Sequence, residues 1–421
     1  MTRVAASPVG GGSPKGQGGS GESRDQLRRL WVLIALSFVD MIGALMVLPL
    51  MPYYALKLRA TPEQIGLITA AFSIAQLVFA PIWGRVSDRY GRRPALLIGL
   101  IASTIAYAVF GLATSLWLLF FSRIIQGAGG GTTGVAQAYV ADTIKPGDRA
   151  RALGWLSAAS ALGVSIGPVI GSFAAHFGRE APGFLAAILC LLNAIFAWRW
   201  LPETRTAAER DAVPRSKKPI WHAAWVVFRH PNQPVSRFIY IYGAGMLGFS
   251  AMTSILALYL NSRFGVTEQT IGYFFLYVGV LSFVMRSVLL GPIVERIGEM
   301  GAVRVGTITL TIGLVLYPAA TNLWVLAAII PLVPIGTALL FPATTALMSR
   351  VSSKDELGVT MGVAQTFAGV ARVIAPLLAT SSYQRFGRSS PFFVAGFIVA
   401  IVGVLAFRIV PVPRPASAEG T

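Results

Sequence analysis

Cysteine, histidine and acidic side chains are all scarce in this chain, and each scarcity removes a class of function. The single cysteine, Cys190, excludes an internal disulfide framework and any cysteine-rich metal site. Three histidines, all between apolar runs, leave little for metal ligation or histidine-based catalysis, so no metal and no enzymatic activity are expected. No Walker sequence and no Ser/His/Asp arrangement is present, which argues against ATP-driven work. Gly129, Gly131 and Gly134 satisfy G-x-G-x-x-G but lie inside an apolar run rather than after a strand. The spacing is therefore read as helix packing and not as a dinucleotide site.

What the chain does have is apolar length. With 55% hydrophobic and 12% charged residues, 421 residues cannot make a soluble globule. Twelve runs approach the ~20 residues a helix needs to cross a bilayer. They lie near 30–56, 65–83, 94–114, 116–139, 150–175, 182–201, 238–260, 271–293, 302–320, 323–348, 357–380 and 391–410. The fold expected is an all-α membrane protein with twelve transmembrane helices.

The net charge of +18 need not mean a nucleic-acid partner, because its distribution follows the spans. Of the 35 Lys and Arg, twenty-six fall in the two tails and the alternate loops assigned inside, and six on the other side. Three, Arg123, Arg286 and Arg372, lie within spans. This is the positive-inside bias, and the even span count puts both termini in the cytoplasm. Residues 1–29 are Gly/Ser-rich without an apolar core and read as a disordered cytoplasmic tail. Residues 202–237 form the one long polar insertion and 411–421 a short tail. Within the insertion, Trp221, Trp225 and Phe228 at i, i+4 and i+7, flanked by Lys217, Lys218 and Arg229, suggest an interfacial amphipathic helix.

An internal repeat sharpens this division. Gly84, Asp88, Arg89 and Gly91 recur as Gly291, Glu295, Arg296 and Gly298, and Leu116–Trp117 as Leu323–Trp324, at a shift of 207. Residues 30–201 and 238–410 thus read as two pseudo-symmetric six-helix bundles, an architecture of secondary transporters with the site between the halves. The copy is degenerate, since Arg92 and Arg93 correspond to Glu299 and Met300. Unequal charge contacts in the two turns are expected from this.

GRVSDRYGRRPALL, from Gly84 to Leu97, resembles the signature loop of the major facilitator superfamily. RIIQGAG (Arg123 to Gly129), ADTIKPGDRARALG (Ala141 to Gly154), GVSIGPVIG (Gly163 to Gly171) and LPET (Leu201 to Thr204) resemble four further motifs of that family. With VDMIGALMVLPLMP in the first run, the nearest branch is the 12-span drug:proton antiporters, tetracycline efflux proteins included. The resemblance implies export of a small amphipathic compound against protons by a monomer in the bacterial inner membrane, with a proton gradient in place of any cofactor. STIAYAVFG and TITLTIGLV carry none of the additional acids of the tetracycline branch, which argues against tetracycline itself. A metabolite importer or facilitator would share the fold, and a non-transporting sensor is the alternative of a different class.

Asp40 is the only acid in the interior of a span. A carboxyl there costs roughly 2.5–3.5 kcal/mol unless it is protonated, paired or hydrated, which makes it the candidate proton carrier. A structural acid paired with Arg123, or with backbone near Pro49, is the competing reading. Arg123 needs an anionic or carbonyl partner, and Gln126 shares its helix face; the resemblance implies that Arg123 influences the proton site. By resemblance also, Asp88 would meet the start of the eleventh helix with Gly84 allowing close approach, and Arg92 would bridge to Asp142. Those residues, with Arg89, Gly91, Glu295 and Arg296, form a candidate cytoplasmic latch. Gly163, Gly167, Pro168 and Gly171 remove side chains from one helix face, for which packing is a sufficient reason. The resemblance makes them an antiporter motif sealing the seam between the halves. Asn193, Met246, Phe249, Gln365 and Arg372 are candidate cavity residues.

Overall fold

The computed structural model describes residues 19–145, 147–204, 220–353 and 356–408. Among them the first half consists of α1 (Gly19–Val47), α2 (Met51–Lys57), α3 (Pro62–Tyr90), α4 (Arg92–Gly111), α5 (Leu116–Gly129), α6 (Thr132–Thr143), α7 (Arg149–Ala174) and α8 (Ala181–Trp200). After α9 (Ile220–Arg229) the second half follows, with α10 (Pro234–Phe264), α11 (Ile271–Val284), α12 (Leu290–Leu316), α13 (Leu323–Ile329), α14 (Leu332–Val351), α15 (Leu357–Phe386) and α16 (Ser390–Arg408).

Local chemistry sets these boundaries. Thr61 and Gln64 close a capping box at the start of α3, with Pro62 in the first turn where its missing N–H costs nothing. Ser115 caps α5 and Asn322 caps α13, 207 residues later. Gly91 (φ 109°, ψ 157°) turns the chain between α3 and α4, and Gly298 (φ 73°, ψ 169°) makes the same turn inside α12. Both backbones sit where a Cβ would be strained, so the repeat is conformational as well as sequential.

Ten helical stretches are long and apolar enough to cross a membrane. One of them, Ile271–Ala319, has 49 residues and would be about 74 Å long if straight; it folds back at Gly298. The first run is broken between Val47 and Met51, ahead of Pro52, and the fourth between Gly129 and Thr132, where a continuous helix was expected. α1 starts at Gly19, ahead of the boundary expected at residue 30. A helix once nucleated extends at little cost. The ten stretches, the interrupted α5–α6 pair and the second leg of the folded-back helix occupy the twelve apolar runs.

Packing repeats between the halves. α1 lies along α7 as α10 lies along α15, and α4 packs on α8 as α12 packs on α16. The halves meet through α3 against α15 and α7 against α11. α9 tucks beside α15, the Tyr240 hydroxyl donating to the Val227 carbonyl at 3.2 Å, and leaves Trp225 and Phe228 exposed and stacked 5.6 Å apart. The amphipathic expectation fits residues 220–229; residues 205–219 and the side chain of Trp221 lie outside the described part.

Candidate functional site

Asp40 lies on α1, half-buried, opposite the break between α5 and α6. Thr132, the first residue of α6, donates its hydroxyl to Asp40 Oδ2 at 3.0 Å. The carboxylate therefore meets the positive end of a helix, where unpaired N–H groups and the summed peptide dipoles favour negative charge. A cavity of about 20 Å³ beside it, walled by Leu33, Ser37, Leu100 and Thr133, has room for about one water.

The break is built by close contacts. A Cβ on Gly127 would fall 2.3 Å from the Phe72 carbonyl, and one on Gly131 2.6 Å from the Trp83 ring. The Trp83 indole N–H donates to the Ala128 carbonyl, which the interrupted helix leaves without its usual partner. Gly134, by contrast, faces open space.

One turn before the break, Gln126 donates to the Tyr107 hydroxyl at 2.8 Å. Arg123 on the same face is 1% exposed and lies over the Phe110 ring at 5.5 Å. The expected anionic partner is not there: Arg123 has no ion pair among the described residues, and its Nε and Nη2 carry no hydrogen bond. The aromatic face substitutes in part, through cation–π attraction. Gln126 Oε1 is also buried without a partner. Asp40 pairs neither with Arg123 nor near Pro49, so the structural-acid reading finds no support in its contacts.

The seam between the halves differs at its two ends. At the end far from the charged turn, a Cβ on Gly66 would fall 1.9 Å from Thr380 Oγ1, and one on Gly272 2.8 Å from Ser172. Lys57 pairs with Glu268 across the halves, Glu63 Oε1 lies 3.6 Å from Arg385, and the Glu63 amide donates to Gln384. Burial pushes the Glu268 carboxyl up, but Lys57 and its own backbone N–H more than offset this and hold it below the usual range. At the charged-turn end, Gly84 of α3, Gly154 of α7, Gly291 and Gly358 of α15 meet nothing within 4 Å. Among the described residues the seam is thus pinned closed at one end, and no such contact joins the halves at the other, open, end.

The Major Facilitator Superfamily model matches residues 33–333 and 287–421, nearly the whole described chain. The chain belongs to the major facilitator superfamily. It is similar to the class B tetracycline resistance protein of Escherichia coli, 26% identical over 84% of this chain and 88% of that protein. It is also similar to multidrug resistance protein 2 of Bacillus subtilis (strain 168), 27% identical over 89% and 92%. The fold matches the human organic anion transporter MFSD10 (TM-score 0.67, 22% identity, 90% of this chain and 99% of that one). It also matches the nucleoside transporter NupG (TM-score 0.71, 12% identity, 90% and 98%). The chain is an integral membrane transporter.

Within this major facilitator chain the latch residues are placed as follows. Arg92, 5% exposed, reaches Asp88 at 2.8 Å, Ser87 at 2.7 Å and Asp142 at 2.9 Å, all inside the first half. Arg89 is exposed over the Tyr90 ring, and Glu295 and Arg296 are exposed without hydrogen bonds or ion pairs among the described residues. The two turns are unequal, three side-chain partners for Arg92 against one for Glu299, but one contact has a near counterpart: Glu299 pairs with Arg350 as Arg92 pairs with Asp142. The contact is retained with its signs exchanged.

Other expectations shift. Gly163, Gly167 and Gly171 press on the α1 carbonyls of Phe38, Ile42 and Met46, so this stripe packs one bundle and not the seam. The seam face of α7 is the neighbouring one, where Ser165 meets Gly279 and Pro168 O meets Gly272. Asn193 is buried, donating to the Leu36 carbonyl of α1 at 3.0 Å, which is a packing role. Met246 and Phe249 are half-buried against the hydrophobic core. Gln365 is exposed and donates to the Tyr242 hydroxyl at 3.4 Å. Arg372 shares its stripe with Gly369, which meets Leu77 of α3, and has no ion pair among the described residues.

Three side chains at these sites escape sequence reasoning. Thr132 and Tyr107 were signalled only by being polar within apolar runs. Glu203 of LPET accepts from the Arg92 amide at 3.0 Å and the Arg93 amide at 3.2 Å, capping α4 across the bundle where Gly91 has no side chain to do so.

Proposed function

We propose that this chain is a proton-coupled drug efflux transporter of the bacterial inner membrane, working as a monomer with both termini and the charged turns in the cytoplasm. Its energy comes from the proton gradient rather than from a bound cofactor. The names of its relatives support drug export, and the sequence motifs support antiport. The observation that carries proton coupling is Asp40, the lone acid inside a span, held by Thr132 at the start of α6 beside a water-sized cavity.

In the proposed cycle, the end of the seam that stands open faces the cytoplasm and admits an amphipathic compound. Asp40 is then ionised, stabilised by the Thr132 hydroxyl and the α6 dipole. Arg123, buried in the same half over the Phe110 ring, tunes that site. After the seam inverts, Asp40 is reloaded from the outside, and the proton travels inward as the protein returns. Each proton supplies about 2.3 kcal/mol per 100 mV of membrane potential. Arg92, with Asp88 and Asp142, would re-engage the second half when the cytoplasmic end closes.

An efflux panel of amphipathic drugs and dyes in cells lacking other pumps, with and without an uncoupler, tests this reading. Export that stops with the uncoupler is expected, with low activity toward tetracycline because α4 and the matching stretch of α12 lack additional acids. Export unchanged by the uncoupler would contradict it.

A further inference from the structure

Two arginines of the second half lie well inside their spans. Arg286 sits in a π-helical turn (Met285–Leu289) that joins α11 to α12, about 18 Å before the Gly298 turn, and Arg372 sits at the middle of α15. Neither has a hydrogen bond or an ion pair among the described residues. A guanidinium keeps its charge, and at a helix centre that charge costs roughly 2.5–3.5 kcal/mol. Helix periodicity places both beside the seam. On α11, Gly272 and Gly279 meet Ser172 and Ser165 of α7, and Arg286 follows at the next seven-residue step. The exposed stripe of that helix, Tyr273, Tyr277, Val280 and Val284, lies on another side. Continued one step, the antiparallel register sets Arg286 opposite Ser157, Ala158 and Ala161 of α7, all exposed, so the halves have already parted at this level. On α15, Gly369 meets Leu77 of α3, with Gln365 and Arg372 on the adjoining face and exposed Val370, Ile374 and Leu378 turned away.

The neighbours of Arg372 are aromatic. The Tyr242 ring of α10 meets the Phe341 ring of α14 edge-on at 5.2 Å, its hydroxyl accepts from Gln365 at 3.4 Å, and Arg372 interacts with it electrostatically. The π-helical turn that carries Arg286 packs against α14 from the other side. No carboxylate balances the two cations among the described residues. The acids of the second half stand beside turns or at helix ends, α7 has none, Glu63 and Asp88 occupy the two ends of α3, and Asp40 accepts from Thr132. We infer that this part of the opening is an anion-binding subsite and that the exported compound is an aromatic carboxylate. Arg372 would hold the carboxylate, Tyr242 and Phe341 would receive the ring, and Arg286 would add to the positive field across the opening. The inference rests on the exporter reading and narrows its amphipathic substrate to an anion. An inside-negative membrane potential drives an anion outward, so the charge suits export.

Equilibrium dialysis of the purified full chain against naphthoate, its methyl ester and naphthylmethylamine compares an anion, a neutral molecule and a cation of similar shape. Naphthoate is expected to bind most tightly, and to bind about tenfold more weakly to Arg372→Gln, the worth of one charge-assisted hydrogen bond, with a smaller loss in Arg286→Gln. Arg372→Lys keeps the charge and should retain part of the binding, which separates a lost contact from a lost fold. Naphthoate binding no tighter than that of the ester or the amine, or unchanged in Arg372→Gln, would overturn the inference. Binding is read without a gradient, so it does not depend on proton coupling. Uncoupler-insensitive export of naphthoate from vesicles would count against the exporter reading and not against this subsite.

Discussion

The two ends of the seam contain the same kinds of charged group but connect them differently. At the closed end the pairs cross the halves, Lys57 to Glu268 and Arg385 to Glu63. At the open end the pairs seen among the described residues lie within a half, Arg92 to Asp88 and Asp142 in the first and Arg350 to Glu299 in the second. The conformation is therefore marked by partner choice rather than by charge content. Exchanging intra-half for inter-half partners is a discrete rearrangement of the kind that gives a two-state switch.

Breaking an intra-half pair should have the largest effect on stability. Arg92→Gln removes the cation that Asp88 and Asp142 share. The loss is about 1–3 kcal/mol, below that for a fully buried pair because both carboxylates are partly hydrated. Thermal unfolding in detergent measures it, and Glu299→Gln should cost less because Arg350 is more exposed.

Next comes a wedge. Gly66→Leu places a side chain where Thr380 and the Pro376 carbonyl already are, and Gly84→Leu places one in open space. Overpacking of about 1–3 kcal/mol shifts the balance between the two states by roughly 5- to 150-fold. Gly66→Leu should open the closed end, seen as faster labelling of an introduced cysteine from that side, while Gly84→Leu should hinder closure of the other end. Cys190 is buried and leaves a low background.

The smallest effect belongs to Glu268→Gln, at less than about 1 kcal/mol for an exposed pair. Because Glu268 is held below the usual carboxyl range, its contribution is present at neutral pH and is lost as pH falls through that lowered value. Labelling from the closed side should rise with acid in the native chain and change less in the variant.

Much of this fold is legible in the sequence. Span length, the positive-inside bias and the 207-residue repeat give the helices and the two halves without a contact map. What escapes is which face of each helix meets which neighbour. In a soluble helix the polar stripe marks the outside, but here lipid-facing and bundle-facing sides are both apolar. The Gly163, Gly167 and Gly171 stripe therefore reads equally well as a seam or as internal packing. Arg123 illustrates a second limit: a buried cation calls for a partner, and pattern alone does not distinguish a carboxylate from the Phe110 ring. The exchanged pair, Arg92–Asp142 against Glu299–Arg350, shows a third. Position by position the second turn looks eroded, whereas in space its contact survives with the signs reversed.

The central claim is that Asp40 carries the proton that drives export. Reconstituted vesicles with an imposed pH gradient, loaded with a substrate from the efflux panel, test it through Asp40→Asn beside Asp40→Glu. The account expects gradient-driven export to fall at least tenfold in the Asn variant and to recover partly in the Glu variant, while downhill substrate exchange without a gradient persists in both. Full gradient-driven export by Asp40→Asn would contradict it.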